Sequence, residues 1–247
     1  ARHGVDTSAV HVSETAHTAR FICTTDAEQN QIATFYAGAM SEARNIELKP
    51  IIDAAGPADV VLIGANDPLA MQRHTDECRF RGYPFAADPS QQLARMSGEE
   101  VKPLIEGAQY LFTNEYESAL IEQKTGWSAA DIADMVQVRI TTLGPNGSRV
   151  ERRGQAAVHV PIAEEERKSD PTGVGDAFRA GFLSGQAWGL SDERSAQVGS
   201  LLASYVIETV GTQEYELAQK HFLQRLGRTY GDDAAAEVEG FISCTRP

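Results

Sequence analysis

The stretch Asp170–Leu183, DPTGVGDAFRAGFL, sets two glycines and an aspartate at the mouth of a helical pattern. An ordinary helix start needs one capping residue, Ser, Thr, Asp or Asn. Each glycine adds backbone entropy that folding must remove, so Gly173 and Gly175 point to a close approach of the backbone to something else. A glycine loop opening a helix offers unpaired N–H groups at the positive end of the helix dipole, which suits an anion. Asp176 can then act as a base toward a hydroxyl placed beside a phosphate, in a transfer that depends mainly on positioning and electrostatics. A plain N-cap role for Asp176 stands beside that reading. The small residues Ala177, Ala180 and Gly181 let the following helix pack close to its neighbours.

Upstream of this stretch, short β-rich runs alternate with helical ones. Strands are expected at Val60–Asn66, Pro84–Ser90, Tyr110–Asn114 and Arg139–Gly144, with Val158–Pro161 nearer an edge. Nearly continuous apolar runs suit strands buried on both faces of a parallel sheet. Helices are expected at Pro68–Gly82 and Ser97–Gln109, the second opened by a Ser97/Glu100 capping box with Pro103 near its first turns. Downstream the pattern is all-helical: Ala177–Gly189, a helix framed by Ser191 and Arg194 and stopped by Gly211, then Tyr215–Tyr230 and Asp232–Phe241. The expectation is an α/β fold, a doubly wound, mostly parallel sheet with helices on both faces. Residues 1–40 differ. TARFICTTDAEQNQIATFYAGA alternates around Asp26, Glu28 and Asn30 as two strands of a small antiparallel sheet would, so 1–40 read as part of a β lid and 41–247 as the α/β core.

The formal charge of −13 argues against nonspecific nucleic-acid or anionic-membrane binding, which needs a basic face. No apolar run approaches the roughly 18 residues of a membrane span. Cys23, Cys78 and Cys244 lie far apart, and no histidine pair has metal-ligand spacing. This sparse set fits a reducing cytosol, no secretory pattern opens the chain, and a cytoplasmic location is expected.

Several expected strands end in polar residues: Pro89-Ser90-Gln91-Gln92, Asn114-Glu115-Tyr116-Glu117, and Thr142-Leu143-Gly144-Pro145-Asn146-Gly147. Ligands of open α/β sheets sit beyond the carboxyl ends of the strands. Together with these, DPTGVGD resembles the C-terminal signature D-T-x-G-A-G-D of the ribokinase-like (PfkB) carbohydrate and nucleoside kinases, with Pro171 for Thr and Val174 for Ala. Asn114-Glu115-Tyr116-Glu117 is similar to the family's Asn-x-x-Glu, and Thr142–Gly147 to its T-L-G-x-x-G. ARFICTTD, GAMSEARNI, IGANDP, FAADPSQQLAR and LFTNEYE are similar to the bacterial adenosine kinases of the family, a likeness covering essentially all 247 residues.

The resemblance implies transfer of the γ-phosphoryl group of ATP to adenosine. Asp176 would be the general base and Gly173, Val174 and Gly175 the anion hole. Asn114, Thr142–Gly147 and Gly175 would bind ATP, with its adenine toward the helix containing Ser200–Ser204. Asn114 and Glu117 would hold Mg²⁺ through water. Gln91, Gln92 and Arg95 would surround the nucleoside, and Phe21 and Phe35 on the lid would enclose its base. An N-terminal segment bearing a Gly-Gly motif and an early sugar-binding Asp belongs to the family pattern and is not found, so an N-terminal part is expected to be missing. A homodimer through the exposed lid strands is also expected.

Each residue has a plainer reading. Asn114 and Glu117 can be a helix cap and a solvated acid, Thr142–Gly147 a hairpin turn, Arg95 a partner of Glu99 one turn on. Gln91 and Gln92 can be exposed helix-start residues and Phe21 and Phe35 packing residues, while Glu164-Glu165-Glu166 reads as a solvated turn. A kinase for ribose, fructose or another nucleoside, or a nonenzymatic nucleotide-binding protein, would carry much of the same pattern.

Overall fold

The computed structural model describes residues 3–26 and 31–242, so Glu28, Asn30 and Cys244 lie outside the described residues. The chain forms two compact units, Ala1–Val138 and Arg139–Pro247.

In the first unit β1 (Arg20–Thr25) and β2 (Gln31–Tyr36) form an antiparallel ribbon of their own. Then come α1 (Leu48–Ala55), β3 (Val61–Ile63), α2 (Pro68–Arg81), β4 (Phe85–Ala87), α3 (Gly98–Ile105), β5 (Tyr110–Asn114), α4 (Glu115–Thr125) and α5 (Ala129–Met135). Strands β3, β4 and β5 lie side by side and parallel, with Ile63 beside Ala87 and Ala87 beside Leu111. This register puts the residues after β3, the Asp88–Gln92 stretch and the end of β5 along one carboxyl edge. Crossovers between consecutive parallel strands are right-handed, which carries α2 and α3 to the same face, where they pack on each other. The core is built from Ile63, Met71, Phe85, Leu104, Leu111 and Ile121. Buried Cys78 joins it, its thiol pushed up to about 11 by burial.

Helix ends follow side-chain chemistry. Asp67 caps α2 by accepting from Ala70 N–H, and Ser97 and Glu100 make the expected capping box on α3. Helix α3 ends at Ile105, short of the expected Gln109, and Gly107 (φ 80°) takes the left-handed turn just beyond it. Helix α1 holds Pro50 at its third position, where a missing N–H has no intrahelical acceptor to satisfy.

The second unit begins within β6 (Val138–Thr142) and continues through β7 (Ser148–Arg152), β8 (Val158–Val160), α6 (Val174–Ala187), α7 (Asp192–Ile207), α8 (Gln219–Tyr230) and α9 (Asp232–Glu239). Strands β7 and β8 are antiparallel, Ser148 opposite Val160. A core of Val198, Leu201, Tyr205, Phe222, Leu226 and Val238 joins α7, α8 and α9. Ser191 caps α7 through Arg194 N–H as expected. Helix α7 stops at Ile207 rather than near Gly211, because the Ile207 carbonyl accepts from Ser169 and Asp170 N–H. Residues 215–218 precede α8 without being helical.

Helices α6 and α7 cross on glycine. A Cβ on Gly181 would sit 2.6 Å from Gly199 Cα, and one on Gly185 2.8 Å from Ser195 Cα. Gly181 therefore has the close-packing role expected of it, whereas Ala180 is exposed. Strands with helices packed on them in both units make the fold mixed α/β, in agreement with the sequence reading.

Candidate active site

The tip of α6 is built to leave amides open. Its N-cap is Gly173, left-handed at φ 86°, with no side chain capping the end. Val174 N–H turns back to Pro171 O, and the intrahelical ladder begins at Ala177 N–H to Gly173 O. Gly175 and Asp176 N–H thus lie among the four positions whose donors a helix cannot satisfy internally. A Cβ at Gly175 would press on Arg179 Nη1 at 2.8 Å, and one at Gly173 on Thr212 at 3.0 Å. Asp176 is the third helical residue and not the N-cap, which removes the plain capping reading. Its side chain is 84% exposed and faces Arg179 Nη1 at 3.3 Å.

The approach to that tip is fastened. Asp170 accepts from Thr172 N–H at 2.9 Å and from Gly211 N–H at 3.2 Å. The Thr172 amide foremost, with Gly211, holds the Asp170 carboxyl below the usual carboxylate range. Thr142, Leu143, Gly144, Pro145, Asn146 and Gly147 form one tight turn between β6 and β7, closed by Leu143 N–H to Gly147 O at 2.7 Å. Gly144 and Gly147 are both left-handed, and a Cβ on Gly147 would run into the Val160 carbonyl. The hairpin reading of this segment describes its shape and leaves its backbone available for contact. Ser200 accepts from Ala163 N–H, and Ser204 Oγ bonds Leu201 O and Arg225, so both hydroxyls are used inside the unit.

In the first unit, Gln91 and Gln92 sit on a 3-10 turn at the carboxyl edge of β4. Gln92 is buried and Gln91 exposed, the latter accepting from Ser90 Oγ at 2.7 Å. Ser90 is left-handed at φ 46°, a conformation that costs a non-glycine residue roughly 1–3 kcal/mol and collects at functional sites. Nothing in the sequence marks Ser90, since Asn or Asp is the usual non-glycine choice there. Arg95 ends the turn, exposed; Glu99 pairs with Lys102 at 2.8 Å instead of with Arg95.

At the same edge Asn114 and Glu117 form a reciprocal capping box. Asn114 Oδ1 accepts from Glu117 N–H and Glu117 Oε2 from Asn114 N–H, both at 2.8 Å. The cap half of the plain reading therefore holds, whereas Glu117 is buried rather than a solvated acid, and the box leaves its second carboxylate oxygen outside. On the ribbon, Phe21 and Phe35 are direct cross-strand partners on one face, 50% and 45% exposed. Rings left this open in a two-stranded ribbon are poorly explained as packing residues.

No group of three or more His, Cys, Asp or Glu able to hold a metal occurs among the described residues. Mg²⁺ typically keeps several waters and takes one or two carboxylates plus substrate phosphates, and the single free oxygen of Glu117 fits that mode better than an all-protein cage. No helix of the described residues is long and apolar enough to cross a membrane.

The model of the pfkB family carbohydrate kinases matches residues 1–219. A nucleoside kinase of Methanocaldococcus jannaschii is 29% identical over 212 residues, 85% of this chain and 67% of the relative. The structure of the Burkholderia thailandensis nucleoside kinase in complex with inosine superposes with a TM-score of 0.81 at 33% identity, covering 88% of this chain and 71% of that one. An adenosine kinase from Sinorhizobium meliloti shares the fold at 22% identity, with a TM-score of 0.67 and coverage of 81% and 63%.

Proposed function

The chain belongs to the PfkB family of carbohydrate kinases, and on that premise we propose that it transfers the γ-phosphoryl group of ATP to the 5′-hydroxyl of a nucleoside, adenosine. The observation that carries the reading is the open α6 tip, where glycine replaces the side-chain cap and Asp176 stands exposed beside two unsatisfied amides.

In the second unit the α6 amides take charge developing on the moving phosphoryl group, and the Thr142–Gly147 turn takes the nucleotide. The 5′-hydroxyl proton passes to the Asp176 carboxylate as the O–P bond forms and the bond to the ADP oxygen breaks. Donors fixed before the reaction need no reorganisation as the charge develops. In the first unit Gln91, Gln92 and Arg95 take the nucleoside, and Phe21 and Phe35 cover its base. Asn114 and Glu117 would hold Mg²⁺, which would supply neutralisation of phosphate charge. The outer strands of the β1–β2 ribbon leave edges that support pairing with a second copy, readable by sedimentation against concentration.

Initial rates of ADP formation with adenosine, inosine, cytidine, ribose and fructose test the acceptor. Adenosine is expected to give the highest kcat/KM; inosine ahead of it would move the assignment to another purine nucleoside, and ribose ahead of both would remove the nucleoside assignment. Asp176→Asn is expected to lower transfer by at least about 10²-fold with nucleotide affinity kept.

A further inference from the structure

We infer that Arg225 and Glu208 form a buried clasp that holds the segment leading into the α6 tip, making both positioning residues of the transfer; the inference rests on the reading of that tip as the phosphate site. Arg225, on α8, is 3% exposed. Its Nη1 donates to Glu208 Oε2 at 3.0 Å and its Nη2 to Glu208 Oε1 at 2.8 Å, a forked pair. The guanidinium lies over the Tyr205 ring at 4.7 Å, and Nη2 also reaches Ser204 Oγ at 3.0 Å.

Further contacts of the pair reach the chain ahead of the tip, with the two Nη2 hydrogens shared among three acceptors. Arg225 Nη2 donates to the Glu164 carbonyl at 3.1 Å, and Glu208 Oε1 accepts from Glu166 N–H at 2.9 Å. The Glu208 carbonyl takes Arg167 Nε at 2.7 Å and Ser169 Oγ at 3.0 Å. One residue earlier, Ile207 O takes the amides of Ser169 and Asp170, and Asp170 in turn holds Thr172 and Gly211. Contacts therefore run without a break from Glu164 to the left-handed Gly173. The triple glutamate keeps the exposed Glu164 and Glu166 side chains that a solvated turn implies, and it adds main-chain anchorage: the Glu164 carbonyl and Glu166 N–H meet the clasp, Glu165 pairs with Lys168, and the Glu166 side chain lies 3.9 Å from Arg228. Since a buried ion pair is weak grounds for stability, the role inferred for this one is to fix geometry. Lysine cannot replace it, having one point charge where the fork has two parallel donors.

The test uses the full chain with Arg225→Lys, Glu208→Gln and, as control, Lys220→Ala, an exposed position on the same helix α8. Each is assayed for ADP formation and for deuterium uptake by peptide. Either folded clasp variant is expected to lose about tenfold to a hundredfold in kcat, the scale of a misplacement near 1 Å, while the nucleoside KM stays within about twofold. Uptake is expected to rise over residues 164–176 and not over 85–125, and Lys220→Ala to match the wild type. Unchanged kcat, or uptake unchanged over 164–176, overturns the inference. A wild-type chain that transfers no phosphoryl group refutes the kinase reading instead, and the uptake pattern then decides the clasp alone.

Discussion

Gly181→Ala probes how finely the α6 tip is placed. The new methyl carbon would lie 2.6 Å from Gly199 Cα, 2.9 Å from Gly199 N and 3.0 Å from Val198 C. Carbon atoms settle at about 3.5–4.0 Å, and the obstacle is backbone, so α6 and α7 must part by roughly 1 Å. Overpacking of this size costs about 1–3 kcal/mol. Alanine recovers about 1 kcal/mol over glycine inside a helix. The net loss of about 0–2 kcal/mol lowers Tm by at most about 8 °C in a chain of this size. Activity should respond far more, because a 1 Å displacement of a positioned group costs about 10²-fold. Ala180→Gly is the matched control: it sits on the exposed face of the same helix and costs about 1 kcal/mol of helix propensity with no lateral push. Steady-state kinetics and thermal melts on both variants decide the matter. A Gly181→Ala enzyme with kcat within about twofold of wild type would refute the claim that this crossing sets the tip.

Two further outcomes follow from the same geometry. Because amides hold the Asp170 carboxyl below its ordinary 3.8, its ionised form contributes stability above that value, lost as pH falls through the folded pKa. The Tm gap between wild type and Asp170→Asn should therefore be widest above about pH 5 and close toward about pH 3; a pH-independent gap contradicts it. Replacing Phe21 or Phe35 by Ala should raise nucleoside KM by about tenfold, in line with about 1–3 kcal/mol of base stacking, with ATP KM and Tm nearly unchanged. A change confined to Tm would return both rings to a packing role.

The sequence was most legible where one force dominates. Tyr110–Asn114 is read to the residue because it is buried along nearly its whole length. The Ser97 and Ser191 caps are read from the hydroxyl that must meet an orphan amide. Strand Ser148–Arg152 was not legible: Ser148 and Val150 are buried, but the charges between and after them mask the alternation. Leu48–Ala55 is hidden by Pro50, which reads as a break and is tolerated in the first turn. At the site, the glycine tip declares itself because only glycine permits Gly173's conformation there. The left-handed Ser90 and the Glu208–Arg225 pair carry no local signal, since each is imposed by contacts distant in sequence.

A crystal structure with adenosine and a nonhydrolysable ATP analogue tests the central claim most directly. The account predicts oxygens of the terminal phosphate within hydrogen-bond range, about 2.7–3.2 Å, of Gly175 and Asp176 N–H, with the Asp176 carboxylate at similar range from the acceptor hydroxyl. A terminal phosphate bound elsewhere, with the α6 tip facing only water, would contradict it.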